Sequence, residues 1–276
     1  MSKQATIGLV SMGTAALLWG APVQAGPPKD PPSKCAADAA LVGSVCVDKY
    51  EASVWRIPPT NLAGKSNAGL IKKVRKGTAE QADLVAGNAT QLGTASDNYA
   101  PCTDNAQNCK GDLYAASLPG VTPAAFITWF QANVACANSG KRLPSNAEWQ
   151  MAVTGSPDPG GDNGTTDCNT ASTFAVASTG SRSSCVSAFG AFDMVGNLYE
   201  WVADWVPRST TCGTWSVGVS PTGDDQCLAG AATTGEPGAL LRGGNFFFGT
   251  FAGPLTVIGL NEPSLSSYNF GFRCAR

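Results

Sequence analysis

Residues 136–152, CANSGKRLPSNAEWQMA, carry the end of one predicted helix and the start of the next. Ser145 and Glu148 have the spacing of an S-x-x-E capping box, which predicts that the second helix begins directly before Trp149. The KRLP segment connects the two helices, and we expect the side chain of Arg142 to be held there in a hydrogen-bond network. These two helices are the clearest regular structure that the sequence predicts.

The first of these helices is predicted to start at Thr122, with Pro123 in its first turn and an apolar stripe that includes Phe126 and Trp129. Gly140 is expected to end it. Elsewhere the patterns predict only short strands, at 46–55, 200–205, 240–248 and 271–275.

Two segments are rich in Gly, Ala, Ser, Thr and Asn and predict little regular structure. Residues 61–120 are interpreted as a long surface excursion that holds one short helix. This helix would follow Thr78, which forms a predicted capping box with Gln81. Residues 155–190 are interpreted as disulfide-tied loops. Two helices beside short strands and long loops indicate an α+β domain.

The start of the chain has the pattern of an export signal. Residues 1–25 combine Lys3, an apolar run and a Val-Gln-Ala ending, which predicts a signal peptide cleaved after Ala25. Residues 26–45 are predicted to be a Pro-rich leader, and residues 46–276 a single domain. No other stretch approaches the length that spans a bilayer, so we expect no membrane span.

The charge balance bears on the kind of partner. A formal net charge of −2 argues against a nucleic-acid partner, which would need a basic face. The basic cluster formed by Lys72, Lys73, Arg75 and Lys76 is interpreted as a solvated helix end, with a polyanion site as the alternative.

All ten cysteines lie beyond residue 25, and an even count in an exported chain predicts five disulfides. Zinc is the competing interpretation, and the absence of histidine and of any CxxC pair from the sequence disfavours it. Proximity in the sequence decides four pairs and leaves the last two cysteines for each other. The predicted pairs are Cys35–Cys46, Cys102–Cys109, Cys168–Cys185, Cys212–Cys227 and Cys136–Cys274.

Four motifs in this order resemble the formylglycine-generating-enzyme (sulfatase-modifying factor) domain, a variant of the C-type lectin fold. They are CANSGKRLPSNAEWQMA at 136–152, FGAFDMVGNLYEWVADW at 189–205, LLRGGNFFF at 240–248 and GFRCAR at 271–276. The resemblance starts near Asp48 and reaches the C-terminus. It implies a disulfide between the cysteine before KRLP and the one in GFRC, which supports the Cys136–Cys274 pair.

The resemblance also implies chemistry that this chain is not expected to perform. Formylglycine-generating enzymes oxidise a substrate cysteine with a cysteine pair just downstream of the RGG motif and with copper. The matching stretch here, NFFFGTFAG at 245–253, is followed by no cysteine before Cys274. Related iron enzymes that build sulfoxides bind their metal through histidines, which this chain lacks. We therefore predict a protein that is not an enzyme and that requires no cofactor.

From about residue 241 to 276 the tail is similar to the hypervariable region of diversity-generating retroelement variable proteins, which display varied residues on a ligand-binding face. In those systems template adenines, often in AAC codons, are randomised, and changing the first two bases of AAC never yields Trp, Met, Gln or Lys. Residues 245–270 contain none of these four types. The competing interpretation is a core strand, in which alternation would bury Phe246 and Phe248 and turn Phe247 outward.

By this resemblance we predict which tail residues vary and which are framework. Exposed aromatic and aliphatic side chains provide large contact area in a binding patch. The framework is predicted at Gly249, 252–257 and 262–264. The predicted diversified, ligand-binding residues are Phe247, Phe248, Phe251, Ile258, Leu260, Asn261, Leu265, Ser267 and Tyr268.

The DMVGNLYEW segment has two interpretations. In the enzymes it resembles, the corresponding loop can hold calcium through hard oxygen ligands. Here that implies the carboxylates of Asp193 and Glu200 and the carbonyls of Gly196 and Leu198, so Ca²⁺ is a candidate ion. In the structural alternative, Asn197 turns the chain and Glu200 is buried in hydrogen bonds. In both cases the segment is expected to support the tail.

Together these features predict an exported monomer, located in the periplasm, at the cell surface or outside the cell. Its tail would bind an unidentified protein or surface ligand. Two alternatives stay open. One is an enzyme of the same family with an unrecognised active site, and the other is a structural domain of the cell envelope whose tail is ordinary core.

Overall fold

The computed structural model describes residues 34–158 and 162–276 of the chain. This part contains eleven short strands and four short α-helices, joined by loops. The predicted signal peptide, residues 1–25, lies outside this part. The strands are β1 Ala39–Val42, β2 Val45–Asp48, β3 Ala52–Arg56, β4 Thr90–Leu92, β5 Leu113–Ser117, β6 Tyr199–Val206, β7 Thr211–Thr214, β8 Asp225–Ala229, β9 Gly238–Arg242, β10 Val257–Ile258 and β11 Phe270–Phe272. The helices are α1 Ala68–Lys76, α2 Gln81–Ala86, α3 Trp129–Asn138 and α4 Asn146–Ala152.

The strands form three sheets. β1 and β2 pair with each other, a second sheet has the order β4-β3-β5, and a third has the order β11-β6-β9-β10-β8-β7. In the third sheet β11 runs parallel to β6 and β10 runs parallel to β8, whereas the other neighbours are antiparallel. Sheets of this kind beside separate helices confirm the predicted α+β class.

The capping box before α4 is confirmed. The Glu148 amide donates to Ser145 Oγ at 3.2 Å, and the Ser145 amide donates to Glu148 Oε2 at 2.8 Å. Arg142 donates to both Glu148 carboxylate oxygens at 2.6 Å and to the Leu143 carbonyl at 3.1 Å. The expected network around Arg142 is therefore present.

The start of α3 corrects the prediction of a helix from Thr122. The helix begins at Trp129, and Thr128 caps it through the Gln131 amide. The amides of Ala124 and Ala125 donate instead to carbonyls of distant segments, at Ala52 and Gly93. Phe126 then has a left-handed backbone with φ 55°, which interrupts a helix across 122–128, so the helix starts at Trp129, seven residues after Thr122.

The segment 61–120 holds more regular structure than predicted. It contains α1, α2, β4 and β5, and α2 is capped by Glu80 and Asp83 rather than by Thr78 and Gln81. Leu70, Val74 and Leu84 face inward and form a small core with Tyr114 of β5. In this segment the large apolar residues stand singly among small polar ones. The hydrophobic pattern is therefore weak, and this core was not predicted from the sequence.

Two further boundaries differ from the prediction. β1 lies within residues 26–45, which were interpreted as a leader, and it pairs along its whole length with β2. The strand predicted at 46–55 is divided into β2 and β3. The ordered structure thus includes residues before Cys46.

The main core joins α3 to two of the sheets. Ala132, Ala135 and Cys136 of α3 pack with Val54 of β3 and Trp201 of β6 in one buried cluster. The structure contains all five predicted disulfides, and the Cys136–Cys274 bond ties α3 to the segment after β11. The tail is therefore anchored at its far end to the centre of the fold.

Candidate ligand-binding face

A pair of glycines turns the chain at the start of the tail. β9 ends at Arg242, so the strand predicted to continue to Phe248 stops six residues earlier. Gly243 and Gly244 have φ values of 85° and 84°, a left-handed conformation that side chains disfavour. A Cβ on Gly244 would lie 2.3 Å from the Cβ of Ala252. The glycines thus allow the phenylalanine run to fold back tightly against the rest of the tail.

The phenylalanine run divides between core and surface. Phe246 is buried, Phe248 is half-buried, and Phe247 is 37% exposed. The Phe247 ring stacks on the ring of Tyr268, with centroids 6.0 Å apart and an interplanar angle of 17°. Tyr268 is 51% exposed, so two residues from opposite ends of the tail form one aromatic surface.

A second aromatic contact extends this surface. Phe248 meets Phe251 at 5.9 Å on one side and Tyr199 of β6 at 5.4 Å on another, both edge-on. Phe251 belongs to a single 3₁₀ turn, Gly249–Phe251, and is 49% exposed. Phe248 therefore connects the exposed rings to the sheet beneath them.

The predicted framework at 252–257 lies largely in the core. Ala252, Thr256 and Val257 are buried, and Thr256 Oγ1 donates to the Phe251 carbonyl at 2.6 Å. This bond closes the loop that carries Phe251. The framework residues thus fix the backbone from which the exposed rings project.

Ile258 does not belong to the face and corrects the prediction. It lies in β10, between β8 and β9, paired with Cys227 and Leu241, and it is 4% exposed. A side chain in this position packs in the main core and cannot contact a ligand. The remaining predicted residues of this half are mixed: Leu265 is exposed, whereas Leu260, Asn261 and Ser267 are half-buried.

These half-buried residues also have structural contacts. Leu260 packs against the main core, and the Asn261 carbonyl accepts from the Ala239 amide at 2.9 Å. The Ser267 hydroxyl donates to Asn269 Oδ1 at 2.6 Å. Four of the predicted residues therefore form two aromatic contacts, Phe247 with Tyr268 and Phe248 with Phe251, and Leu265 is also exposed.

Beneath the tail, the DMVGNLYEW segment forms a buried polar network. Both Glu200 oxygens accept hydrogen bonds from Arg273, and Glu200 Oε2 also accepts from Trp149 Nε1 at 2.7 Å. Asn197 has a left-handed backbone with φ 56° and donates to Glu51. The structural interpretation of this segment therefore describes what is observed.

The same contacts decide whether calcium fits. Asp193 Oδ2 accepts from the Gly180 amide at 2.6 Å, and Glu200 is neutralised by the Arg273 guanidinium. Because the Arg273 guanidinium already pairs with the Glu200 carboxylate, Glu200 does not fit the role of a calcium ligand in this arrangement. Arg273 supplies the positive charge instead.

Burial governs the protonation of this network. Burial raises the pKa of Asp193 to about 6, against an opposing hydrogen bond from the Gly180 amide. Burial, followed by the charges of Asp193 and Glu200, raises the pKa of Glu51 well above its usual range. Three buried carboxylates, those of Glu51, Asp193 and Glu200, thus interact with the Arg273 guanidinium, and the charge of Arg182 also acts on Asp193.

Three contributors to this region were missed by the sequence analysis. Glu51 accepts from the Leu198 amide at 3.0 Å and so supports the turn before β6. Phe126 and Phe174 have left-handed backbone conformations, and the Phe126 amide donates to the tail at the Ser267 carbonyl. The DKYE motif at 48–51 was a signal for Glu51, whereas no sequence signal marks the two phenylalanines.

The described residues contain no free cysteine, since all ten form disulfides. Cys212, Cys227 and Asp225 lie close enough together to suggest a metal site. However, the two sulfurs are bonded to each other and are not thiolate ligands. The donor set thus fits neither copper-dependent thiol oxidation nor, while the disulfide is intact, a metal at this cluster.

Comparison with known families identifies the domain type. The sulfatase-modifying factor enzyme 1-like domain, FGE-sulfatase, matches residues 78–276. The formylglycine-generating enzyme of Thermomonospora curvata is 30% identical over 181 residues, which cover 55% of this chain and 55% of that protein. The serine/threonine-protein kinase Pkn1 of Chlamydia trachomatis is 38% identical over 87 residues, 30% of this chain and 14% of the kinase. The match thus spans about half of the enzyme and a small part of the kinase.

Solved structures similar to this chain include variable proteins. The Major Tropism Determinant M1 variant has a TM-score of 0.46 and 15% identity, covering 87% of this chain and 52% of that one. Treponema denticola variable protein 1 has a TM-score of 0.37 and 18% identity, covering 56% of this chain and 68% of that one. Similarities of this degree do not assign a function to this chain.

Proposed function

The chain belongs to the family of the sulfatase-modifying factor enzyme 1-like domain, and we propose that it is a non-catalytic member that binds ligands through a diversified tail. The proposal rests on one observation. The rings of Phe247 and Tyr268 stack on each other while the two residues remain 37% and 51% exposed. Large rings that pack on each other at the surface give a rigid contact area that loses little conformational freedom on binding.

The framework supports a surface that tolerates change. The RGG turn, the Thr256 hydrogen bond and the Cys136–Cys274 disulfide fix the tail through residues that are themselves buried. The exposed rings make few contacts that the fold requires. A fixed backbone with replaceable side chains is the arrangement that a diversified binding surface needs.

The two other classes of function fit these observations less well. An enzyme of the thiol-oxidising type needs a reactive thiolate, and every cysteine of the described residues is in a disulfide. A purely structural envelope domain would bury its tail, whereas Phe247, Phe251, Leu265 and Tyr268 are exposed. Binding accounts for both features.

The location follows from the same proposal. Five disulfides indicate an oxidising compartment. Within the described residues no helix has the length and apolar character needed to cross a membrane. We propose that residues 1–25 direct export, so that the tail meets ligands outside the cytoplasm.

The test of diversification is DNA sequencing of the tail's coding region and the few kilobases beside it. We expect an imperfect second copy of the tail and a reverse transcriptase gene. Mismatches should fall at adenines of the copy opposite Phe247, Phe251, Leu265 and Tyr268. The codon of Ile258 and the codons of 252–257 serve as internal controls and should match between the copies. Absence of a second copy would refute diversification, and mismatches spread evenly over buried and exposed codons would refute the proposed face.

A further inference from the structure

Two phenylalanines outside the tail adopt a backbone conformation that bulky residues rarely take. Phe126 has φ 55° and Phe174 has φ 51°, both in the left-handed region. Residues held in this region cost free energy, persist only where their surroundings fix them, and cluster at ligand sites. Elsewhere in residues 34–158 and 162–276, the non-glycine residues with positive φ are Asn88, Ala106, Asp193 and Asn197. The two bulky exceptions both border the tail.

Phe126 contacts the tail directly. Its amide donates to the Ser267 carbonyl at 2.9 Å, one residue before Tyr268. Its half-buried side chain packs on the cluster that contains Phe246, the residue before the exposed Phe247. Phe126 is therefore in contact with both ends of the tail, through Phe246 and through the Ser267 carbonyl.

Phe174 lies on a loop that the fold holds rigidly. The loop is closed by the Cys168–Cys185 disulfide, and Asp162 accepts the amides of Thr170 and Ser172 at 2.9 and 3.0 Å. Despite this support, the Phe174 side chain is 71% exposed. An apolar ring exposed on an ordered loop is costly for solubility unless a partner covers it.

The Phe174 loop is joined to the tail at two points. The Gly249 amide donates to the Thr170 carbonyl at 2.9 Å. Val176 packs on the cluster that contains Phe246. Since consecutive Cα atoms are about 3.8 Å apart, the Cα of Phe174 is within about 7.6 Å of that of Val176. The loop that carries Phe174 is thus held against the tail on both sides of that residue.

The three segments that meet here are almost free of charge. Residues 119–140, 168–180 and 243–272 contain Glu262 as their single charged residue, in a chain that is 14% charged. The Glu262 carboxylate is paired with Arg208. The face therefore offers a ligand aromatic rings and neutral polar groups, without an unpaired charge from these segments.

We propose that Phe126 and Phe174 are fixed walls of the binding face, and that the face takes an uncharged segment of a partner protein carrying aromatic or aliphatic side chains. This inference rests on the proposed binding function of the tail. Interface centres are enriched in aromatic residues and depleted of charge, as this face is.

The test uses peptides selected from a random-peptide phage library on the immobilised wild-type protein. The Kd of a selected peptide is then measured for wild type, Phe247→Ala, Phe174→Ala and Phe189→Ala. Phe189 is the matched control, since it is 38% exposed in the turn whose Ala188 amide donates to Thr154. Circular dichroism verifies that each variant is folded.

We expect Phe247→Ala and Phe174→Ala each to raise the Kd by about tenfold or more, with Phe189→Ala unchanged. If Phe247→Ala raised the Kd and Phe174→Ala did not, the proposal that Phe174 is a fixed wall would be wrong, while the tail's binding function would stand. Unchanged affinity in all three variants would overturn both. A charged consensus, a Kd that rises steeply with salt, or failure to select any peptide while a glycan array binds would overturn the proposed partner chemistry.

Discussion

The guanidinium of Arg273 spans both carboxylate oxygens of Glu200, and neither side chain is exposed to solvent. Arg273 Nη2 lies 2.5 Å from Glu200 Oε1, and Arg273 Nε lies 2.7 Å from Glu200 Oε2. Arg273 also donates to the Asp48 and Phe192 carbonyls at 3.0 and 2.8 Å. One side chain, directly after the last strand, therefore joins β6, β2 and the loop before the GNLYEW turn.

Removing one partner of this buried pair should be strongly destabilising. Arg273→Met leaves the Glu200 carboxylate buried without a counter-charge, which we expect to lower the free energy of unfolding by about 3–5 kcal/mol. Chemical denaturation followed by tryptophan fluorescence measures the change. Arg142→Met is the matched control, because Arg142 makes a bidentate pair with Glu148 but is half exposed, and it should cost at most about 1 kcal/mol. Equal losses in the two variants would show that burial does not govern the Arg273 pair.

Asp193 should make stability depend on pH. Because burial raises its pKa from 3.8 to about 6, the folded chain binds this proton more tightly than the unfolded chain. The contribution of protonated Asp193 to the free energy of unfolding is therefore complete below about pH 4, and it is lost as the pH rises through about 6. The raised pKa of Glu51 acts in the same direction.

The variant Asp193→Asn has no titrating group at this position. Asparagine also tolerates the left-handed backbone there, where φ is 56°. We expect its unfolding free energy to fall less steeply than that of wild type between pH 4 and 7, as measured by urea denaturation across the range. The exposed Asp104→Asn variant is the control and should follow the wild-type profile. Parallel profiles for Asp193→Asn and wild type would contradict the raised pKa.

Features set by neighbouring residues, such as helix caps, were predictable from the sequence, whereas features set by tertiary contacts were not. The Ser145–Glu148 box was found because a cap is specified by two residues three apart. The start of α3 was misplaced because Phe126 adopts a left-handed backbone, while Ala124 and Ala125 bond to distant segments. Their sequence contains no sign of those partners.

The binding face shows the same division. The exposure of Phe247, Phe251 and Tyr268 was predicted from an apolar, nearly uncharged tail. Ile258 was placed wrongly on the face, because a two-residue strand is defined by its neighbours β8 and β9 rather than by its own pattern. The left-handed conformations of Phe126 and Phe174 depend on the surrounding loops and had no local signal.

The five disulfides should differ in their contribution to stability. Cys136–Cys274 spans 138 residues and Cys102–Cys109 spans 7. In the chain-entropy model the long closure constrains the unfolded chain by about 5 kcal/mol and the short one by about 2.4 kcal/mol. The double variants Cys136→Ala/Cys274→Ala and Cys102→Ala/Cys109→Ala are compared by chemical denaturation. A larger loss from the short loop would indicate that native packing, rather than chain entropy, dominates.

Substitution tolerance separates the face from the framework. Phe247→Ala and Tyr268→Ala remove partly exposed rings that contact each other and the Phe246 ring, so we expect each to change the unfolding free energy by less than about 1 kcal/mol. Ile258→Ala leaves a cavity between β8, β9 and the main core, and should cost about 2–4 kcal/mol. Leu265→Ala, at another exposed position of the tail, is the control for a surface truncation. If Phe247→Ala destabilised the fold as much as Ile258→Ala, the phenylalanine would be core and the exposed ring could not be a replaceable binding residue.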